Sequence, residues 1–263
     1  MTPRDRRAAP AASVQADQGR GHVVQTAFGV PVTLDPRPGV FMPTPHGLFY
    51  ASAARVARGE RVVDVGTGSG FLAVAAARAG AAHVVATDID PRAVEAARRN
   101  AALNGVALEA RVGPLFARAA GPFDVILANL PNEIVAPAHL AALPPEEART
   151  FASGPAGNEA LLALLEAAPP YMHARTRLYL GVHALTDYHA TLRGALARYA
   201  VRLAAFAPLP VKPYVTAHLD FYRELDAAGV VRLFRDQEGR WSSWVYVYEL
   251  TRSPAAATAG GAG

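Results

Sequence analysis

The chain has 263 residues, 51% of them hydrophobic, with 26 Lys and Arg against 22 Asp and Glu, a formal net charge of +4. That length suits one large core or two modest ones, and one domain is the simpler reading. With no cysteine, disulfides and thiolate metal sites are excluded.

The opening MTPRDRRAAPAASVQADQGRG is basic but lacks the apolar run of a signal peptide, and no later stretch supplies about 18 uninterrupted apolar residues. A cytoplasmic protein without a membrane anchor is expected. Part of the basic excess sits in Arg4, Arg6, Arg7 and Arg20, and no run of five basic residues occurs, so nucleic acid stays open as a partner without being favoured. Small residues, Gly and Pro dominate residues 1–21 and 253–263, which read as a disordered basic arm and a disordered tail around one domain of residues 22–252.

Within that domain, short apolar runs alternate with helical stretches. RVVDV (61–65) precedes a helix over 71–80, HVVATD (83–88) precedes a helix over 91–105, and LEARV (108–112) is followed by the strand FDVILAN (123–129). The helix from residue 91 is well punctuated, with Asp90 able to cap, Pro91 in the first turn and Gly105 beyond the last. RLYLGVHA (177–184), VRLAAFA (201–207) and WVYVYEL (244–250) are further strands, the last preceded by a hairpin signal around Gly239. Strands alternating with helices imply an α/β fold, doubly wound around a mostly parallel sheet.

The first strand of this series runs into Gly66-Thr67-Gly68-Ser69-Gly70, where the lack of Cβ atoms lets backbone N–H groups approach a ligand. The spacing is G-x-G-x-G rather than the dinucleotide G-x-G-x-x-G. Asp88 closes the second strand, where a carboxylate can accept both hydroxyls of a ribose.

VVDVGTGSG (62–70) resembles the first motif of the class I S-adenosylmethionine-dependent methyltransferases, and VVATDID (84–90) resembles their second. The resemblance spans about residues 38–184. It implies a seven-stranded Rossmann-like sheet with an antiparallel last strand, and S-adenosylmethionine as cofactor with S-adenosylhomocysteine as product. It also implies a cofactor site made by Asp64, Gly66, Thr67, Gly68, Gly70, Asp88, Ile89 and Asn129, with Asp64 near the methionine amino group and Asp88 on the ribose. Asn129-Leu130-Pro131-Asn132 ends the strand at 123–129 and is similar to the Asn-Pro-Pro-Tyr motif of enzymes that methylate glutamine amides and adenine amino groups. By that resemblance these four residues form the catalytic set, with the Asn129 side-chain oxygen and the Leu130 carbonyl accepting hydrogen bonds from the target N–H groups. Asn and Pro also serve as plain turn formers.

PGVFMPTPHG (38–47) and SGPAGNEALLALLEAA (153–168) resemble segments of the glutamine-methylating group, whereas Pro114 stands near a position where those relatives carry an acidic residue close to adenine. The N-terminal extension is shorter and more polar than the helical domain with which release-factor enzymes grip their substrate, so that substrate is not expected. Met42, Pro43, His46, His183 and Tyr214 are the expected substrate contacts, with His183 the preferred histidine. His46, His139, His183 and His218 show no metal-like spacing, so no metal is expected. LPVKPYVTAHLDFY (209–222), with Lys212, His218, Asp220 and Tyr222, reads equally as a cover over substrate or a packed loop. Trp241 and Trp244 read as packing residues of the hairpin.

The expected function is N-methylation of a small molecule. Methylation of RNA, DNA or protein, O-methylation of a small molecule, noncatalytic adenosylmethionine binding and nicotinamide-dependent oxidoreduction stand as alternatives. The oligomeric state is left open.

Overall fold

Val-rich runs between Ala-rich helices build a sheet covered on both faces, the arrangement that parallel strands require. The computed structural model describes residues 15–16, 21–148, 151 and 153–253. The expected basic arm lies outside the described residues except at 15, 16 and 21, as does the expected tail except at 253.

The elements in chain order are β1 (Gln15–Ala16), β2 (Val23–Ala27), β3 (Val30–Leu34), α1 (Pro45–Ala53), β4 (Arg61–Val65), α2 (Phe71–Arg78), β5 (His83–Asp88), α3 (Pro91–Leu103), β6 (Glu109–Val112) and β7 (Phe123–Ala128). They continue with α4 (Pro137–Ala142), α5 (Pro145–Ala148), α6 (Glu159–Ala167), β8 (Met172–His183), α7 (Tyr188–Leu196), β9 (Tyr199–Pro210), α8 (Pro213–Ala217), α9 (Leu219–Ala227), β10 (Phe234–Arg235) and β11 (Trp241–Arg252).

The main sheet runs β6-β5-β4-β7-β8-β11-β9. β4 is parallel to β5 and β7, β5 to β6 and β7 to β8, while β11 is antiparallel to both β8 and β9. This is the expected doubly wound sheet of seven main strands, closed by an antiparallel last strand. The hairpin around Gly239 is present but small. Its first strand, β10, pairs only two residues with the start of β11, whereas the long antiparallel partner on that side of the sequence is β9.

Local signals account for the helices beside the site. Asp90 accepts a hydrogen bond from Arg92 N at 2.8 Å and caps α3, and Gly105 beyond its end is left-handed with φ of 65°. α2 starts at Gly70, whose φ is 82° and where a Cβ would lie 2.7 Å from Ala97 Cα. Glycine there sets how closely the loop and α3 approach.

A second sheet of β1, β2 and β3 was not foreseen from the sequence. Its hairpin is bolted to α3 by two amides. Asn100 accepts from Asp35 N and donates to Ser69 O (2.9 and 2.8 Å), while Asn104 accepts from Thr33 N and donates to Thr33 O (2.9 and 2.7 Å).

Two large apolar clusters lie on the two faces of the main sheet, and a third joins Ile134, Leu185, Val215, Tyr222 and Val231 beneath α8 and α9. Residues 209–222 thus combine the end of β9 with helical structure anchored on its own core. Among the described residues, no helix is long and apolar enough to cross a membrane.

One buried tyrosine fixes the segment before the first motif. Tyr50 on α1 donates to Tyr179 O at 2.9 Å and accepts from Ala128 N at 2.8 Å, joining α1 to the end of β7 and to β8. Tyr50→Phe leaves a buried N–H and a buried carbonyl without this partner. It should cost about 1–3 kcal/mol of stability in urea unfolding, and a loss below about 0.5 kcal/mol would show the bridge to be dispensable.

Candidate active site

The carboxyl ends of β4, β5, β7 and β8 open into one cavity of about 710 Å³, within the size range of small-molecule sites. Open α/β sheets place ligands here because successive loops diverge above these strand ends.

The loop after β4 is held by its neighbours on every side. Gly66 N and Thr67 N donate to Thr87 O (2.8 and 3.0 Å), Ser69 N donates to Phe41 O (3.1 Å), and Thr67 Oγ1 and Ala73 N donate to Asp64 Oδ2 (2.7 and 3.2 Å). Asp64 is 1% exposed, and burial pushes its carboxyl up to about 7 against the pull of those two hydrogen bonds. Asp88 accepts from Gly68 N through one oxygen and from Asp90 N through the other, both at 2.9 Å, and burial raises its carboxyl too. Each of its oxygens keeps a further lone pair for a ligand hydroxyl. Ile89, 69% exposed, lines the same cavity.

Asn129 follows β7 with its side chain between Gly47 and Gly181. A Cβ on Gly47 would lie 3.2 Å from its Nδ2, and one on Gly181 would lie 3.6 Å from its Oδ1. The Leu130 side chain covers Gly66, where a Cβ would come within 2.4 Å of Leu130 Cδ2, so the apolar second position of the motif packs against the glycine loop. Asn132 takes a different part from the one expected. Its Nδ2 donates to Leu130 O at 2.7 Å and its Oδ1 accepts from His183 N at 2.6 Å, so both ends of the amide brace main chain. The Leu130 carbonyl, expected to receive a target N–H, therefore already accepts one hydrogen bond.

Of the other expected residues, Pro43, His46, His183 and Tyr214 line the cavity together with Asp64, Gly66, Thr67, Gly68, Pro131 and Asn132. Two do not. Met42 packs against the first core cluster, and Gly70 sits behind the loop against Ala97. His139 and His218 fall outside the lining; His139 stacks on Tyr214, and His218 meets His139 edge-on. Among the described residues, no group of three or more His, Asp or Glu side chains is arranged to hold a metal ion. Trp241 packs near the third cluster and Trp244 against Phe206 and Phe234, as packing residues.

Glu133 belongs to the cavity wall without being marked by any sequence motif. It is 7% exposed and lines the cavity, with Oε1 at 2.7 Å from Lys212 Nζ and Oε2 accepting from the Tyr214 hydroxyl. Burial acts to raise its carboxyl, but the Lys212 ammonium and the hydrogen bonds from Lys212 and Tyr214 oppose it and hold the group ionised, below the usual carboxylate range. His183 Nε2 lies 3.7 Å from Glu133 Oε1, and the His183 and His46 rings are 4.9 Å apart. Burial pulls His46 down to about 4 and His183 to about 3 despite the nearby carboxylate, so both imidazoles are neutral. An acidic residue inside the apolar run PNEIVAP was the available signal for Glu133.

These residues fit a sulfonium nucleoside: a cavity bordered by the glycine loop, a strand-end carboxylate with spare lone pairs, and a second, buried carboxylate behind the loop. Fold and loops together resemble those of the class I S-adenosylmethionine-dependent methyltransferases.

The more particular likeness is to the family described as ribosomal protein L11 methyltransferase (PrmA), whose model matches residues 43–154. The ribosomal protein L11 methyltransferase of Symbiobacterium thermophilum is 54% identical over 80 residues, 30% of this chain and 26% of that one. The Geobacter sulfurreducens enzyme of the same name is 59% identical over 73 residues, 28% of this chain and 24% of that one. The matched part thus spans about a quarter of those relatives. Their name gives a ribosomal protein as the acceptor, which overturns the expectation of a small-molecule substrate.

In fold, the chain is similar to the Thermus thermophilus 16S rRNA N2 G1207 methyltransferase in complex with AdoMet and guanosine, with a TM-score of 0.54 and 18% identity over 92% of this chain and 50% of that one. It is likewise similar to the Methanocaldococcus jannaschii tRNA m1G37 methyltransferase, with a TM-score of 0.54 and 13% identity over 90% and 59% of the two chains.

Proposed function

We propose that this protein transfers the methyl group of S-adenosylmethionine to a nitrogen of a protein acceptor. The observation that carries this reading is the Asn129 amide, which opens into the same cavity as the glycine loop and Asp88. The likeness to the L11 methyltransferases supports a protein acceptor, and the Asn-Leu-Pro-Asn motif supports nitrogen.

When bound, the cofactor supplies an electrophilic methyl carbon on a sulfonium. Asp88 and the 66–69 backbone hold its nucleoside, and Asp64 stands behind the loop for its amino group. Asn129 Oδ1 accepts an N–H of the target and turns the nitrogen lone pair toward the cavity, so the chain's contribution is mainly orientation and exclusion of water. Asn132 keeps Leu130 and the end of β8 in register.

The test uses methyl-labelled S-adenosylmethionine with ribosomal protein L11 and with total ribosomal protein, read by mass spectrometry. Methylated nitrogen on a protein is the expected result. Label only on RNA or on metabolites would refute the assignment.

Asp64 gives a pH signature. Its carboxyl is pushed up to about 7, and a cationic amino group beside it favours the ionised form. Binding of S-adenosylhomocysteine should therefore release a proton, and affinity should rise with pH up to roughly neutrality. Calorimetry in two buffers of different ionisation enthalpy reads the release, and Asp64→Asn should abolish it. Release unchanged in that variant would assign the proton to another group.

A further inference from the structure

The turn that carries Asn129 is held from outside its own segment. Glu133 follows Asn132, is buried, and takes both of its side-chain donors from the start of α8: Lys212 Nζ lies 2.7 Å from Oε1, and the Tyr214 hydroxyl donates to Oε2. A further side chain from the same insertion, Tyr222, donates to Ile134 O at 3.0 Å. Behind them, Ile134 N donates to Leu185 O at 2.7 Å and Ser153 Oγ to Glu133 O at 2.6 Å. One residue earlier, Asn132 Oδ1 accepts from His183 N at 2.6 Å. The chain just past the motif is therefore fixed from several sides, and one of them is the insertion of residues 209–222.

Stability does not call for a carboxylate at this position. A buried ion pair gives little net stability over an apolar pair of similar volume, because both charges are taken out of water. Geometry does call for one. Lys212 takes one oxygen of Glu133 and Tyr214 the other, and together they fix how the carboxylate is turned. The donors are themselves anchored, since Tyr214 stacks on His139 and meets Phe151 edge-on, and Val215 is buried in the third cluster. Glu133, Lys212 and Tyr214 line the same cavity as Asn129, so a shift of this carboxylate moves the wall beside it. The glycine loop is held differently, by Thr87, Phe41, Asp64 and Asp88, through contacts that do not involve the insertion.

We propose that Lys212 and Tyr214 are positioning residues for methyl transfer, which clamp Glu133 and through it hold the 129–134 turn, and with it the Asn129 amide, in place. The insertion of residues 209–222 thus serves turnover and leaves cofactor binding alone. This rests on the methyltransferase reading and adds to it a second, distant segment on which turnover depends.

The test compares Lys212→Met, Lys212→Arg and the double variant Glu133→Met/Lys212→Met, each in the full chain. Turnover is read with methyl-labelled S-adenosylmethionine and total ribosomal protein, S-adenosylhomocysteine affinity by calorimetry, and stability by urea unfolding. The turn itself is read by amide hydrogen exchange at His183 and Ile134. Lys212→Met should lower kcat at least tenfold and change S-adenosylhomocysteine affinity less than twofold. It should also speed exchange at both amides at least tenfold, while Gly66 and Thr67 keep the rates of the parent. Lys212→Arg, which keeps a cationic donor, should recover most of the turnover. The double variant removes both buried charges, so its stability should return while its turnover stays low. Turnover that returns together with stability in the double variant, or unchanged exchange at His183 and Ile134 in Lys212→Met, would overturn the proposal. A parent chain that methylates nothing would sink the methyltransferase reading, and the exchange rates would still decide whether the clamp holds the turn.

Discussion

Asn129→Ala is expected to lower turnover by about a hundredfold to a thousandfold, the range found when one preorganised hydrogen-bonding group is removed from a reacting centre. S-adenosylhomocysteine affinity should change less than about threefold. The asymmetry follows from where the side chain sits. Asn129 lies over Gly47 and Gly181 at the ends of α1 and β8, whereas the nucleoside contacts expected from the loop come from Gly68, Asp88 and their neighbours. The loss should therefore appear in kcat with little change in the affinity for product. Equal losses in turnover and affinity would make Asn129 a cofactor-holding residue instead. Urea unfolding of the variant separates either outcome from a general loss of structure.

Asp88→Ala should act on the other side of the balance and weaken S-adenosylhomocysteine binding about a hundredfold, or about 3 kcal/mol. Two effects combine. The variant loses a charged acceptor for the ribose hydroxyls, and it frees Gly68 N and Asp90 N, which Asp88 holds at 2.9 Å each. Asp88→Asn separates them, since one amide oxygen can keep a single backbone contact but cannot accept from both sides. Its affinity should fall between those of the parent and the alanine variant. Binding weakened less than threefold in Asp88→Ala would remove Asp88 from the ribose site.

The glycine-loop side of the cavity was legible because its signals are local. Gly66, Gly68 and Asp88 lie within one β-α-β unit, and Asp90, Pro91 and Gly105 delimit α3 by chemistry confined to its own ends. The acceptor half depends on contacts between distant parts of the chain. Glu133 meets Lys212 and Tyr214 across 79 and 81 residues, and nothing in the spacing of those residues announces the pairing. Lys212 and Tyr214 could be singled out as polar groups in an insertion, but their purpose was invisible until Glu133 was placed beside them.

Asn132 shows the same limit at short range. The motif resemblance put it in the catalytic set, whereas its hydrogen bonds go to Leu130 and His183. The hairpin of β2 and β3 was a missed local signal, since Phe28 and Gly29 at its turn both have positive φ, 51° and 78°, the conformation a two-residue hairpin loop requires. The small-molecule expectation failed for a different reason: composition and motif spacing bear on the cofactor, while the acceptor is chosen by the rest of the cavity wall.

The two amides that bolt the hairpin to α3 also govern how this protein can be recombined with its relatives. Similarity to the L11 methyltransferases begins at residue 43, yet Asn100 and Asn104 inside the matched stretch bond to Thr33 and Asp35 outside it. A chimera cut at the edge of the alignment would sever those bonds, and through Asn100 it would loosen Ser69 in the glycine loop. The transplantable module is therefore longer than the recognisable one, and a working graft has to begin upstream of Val23.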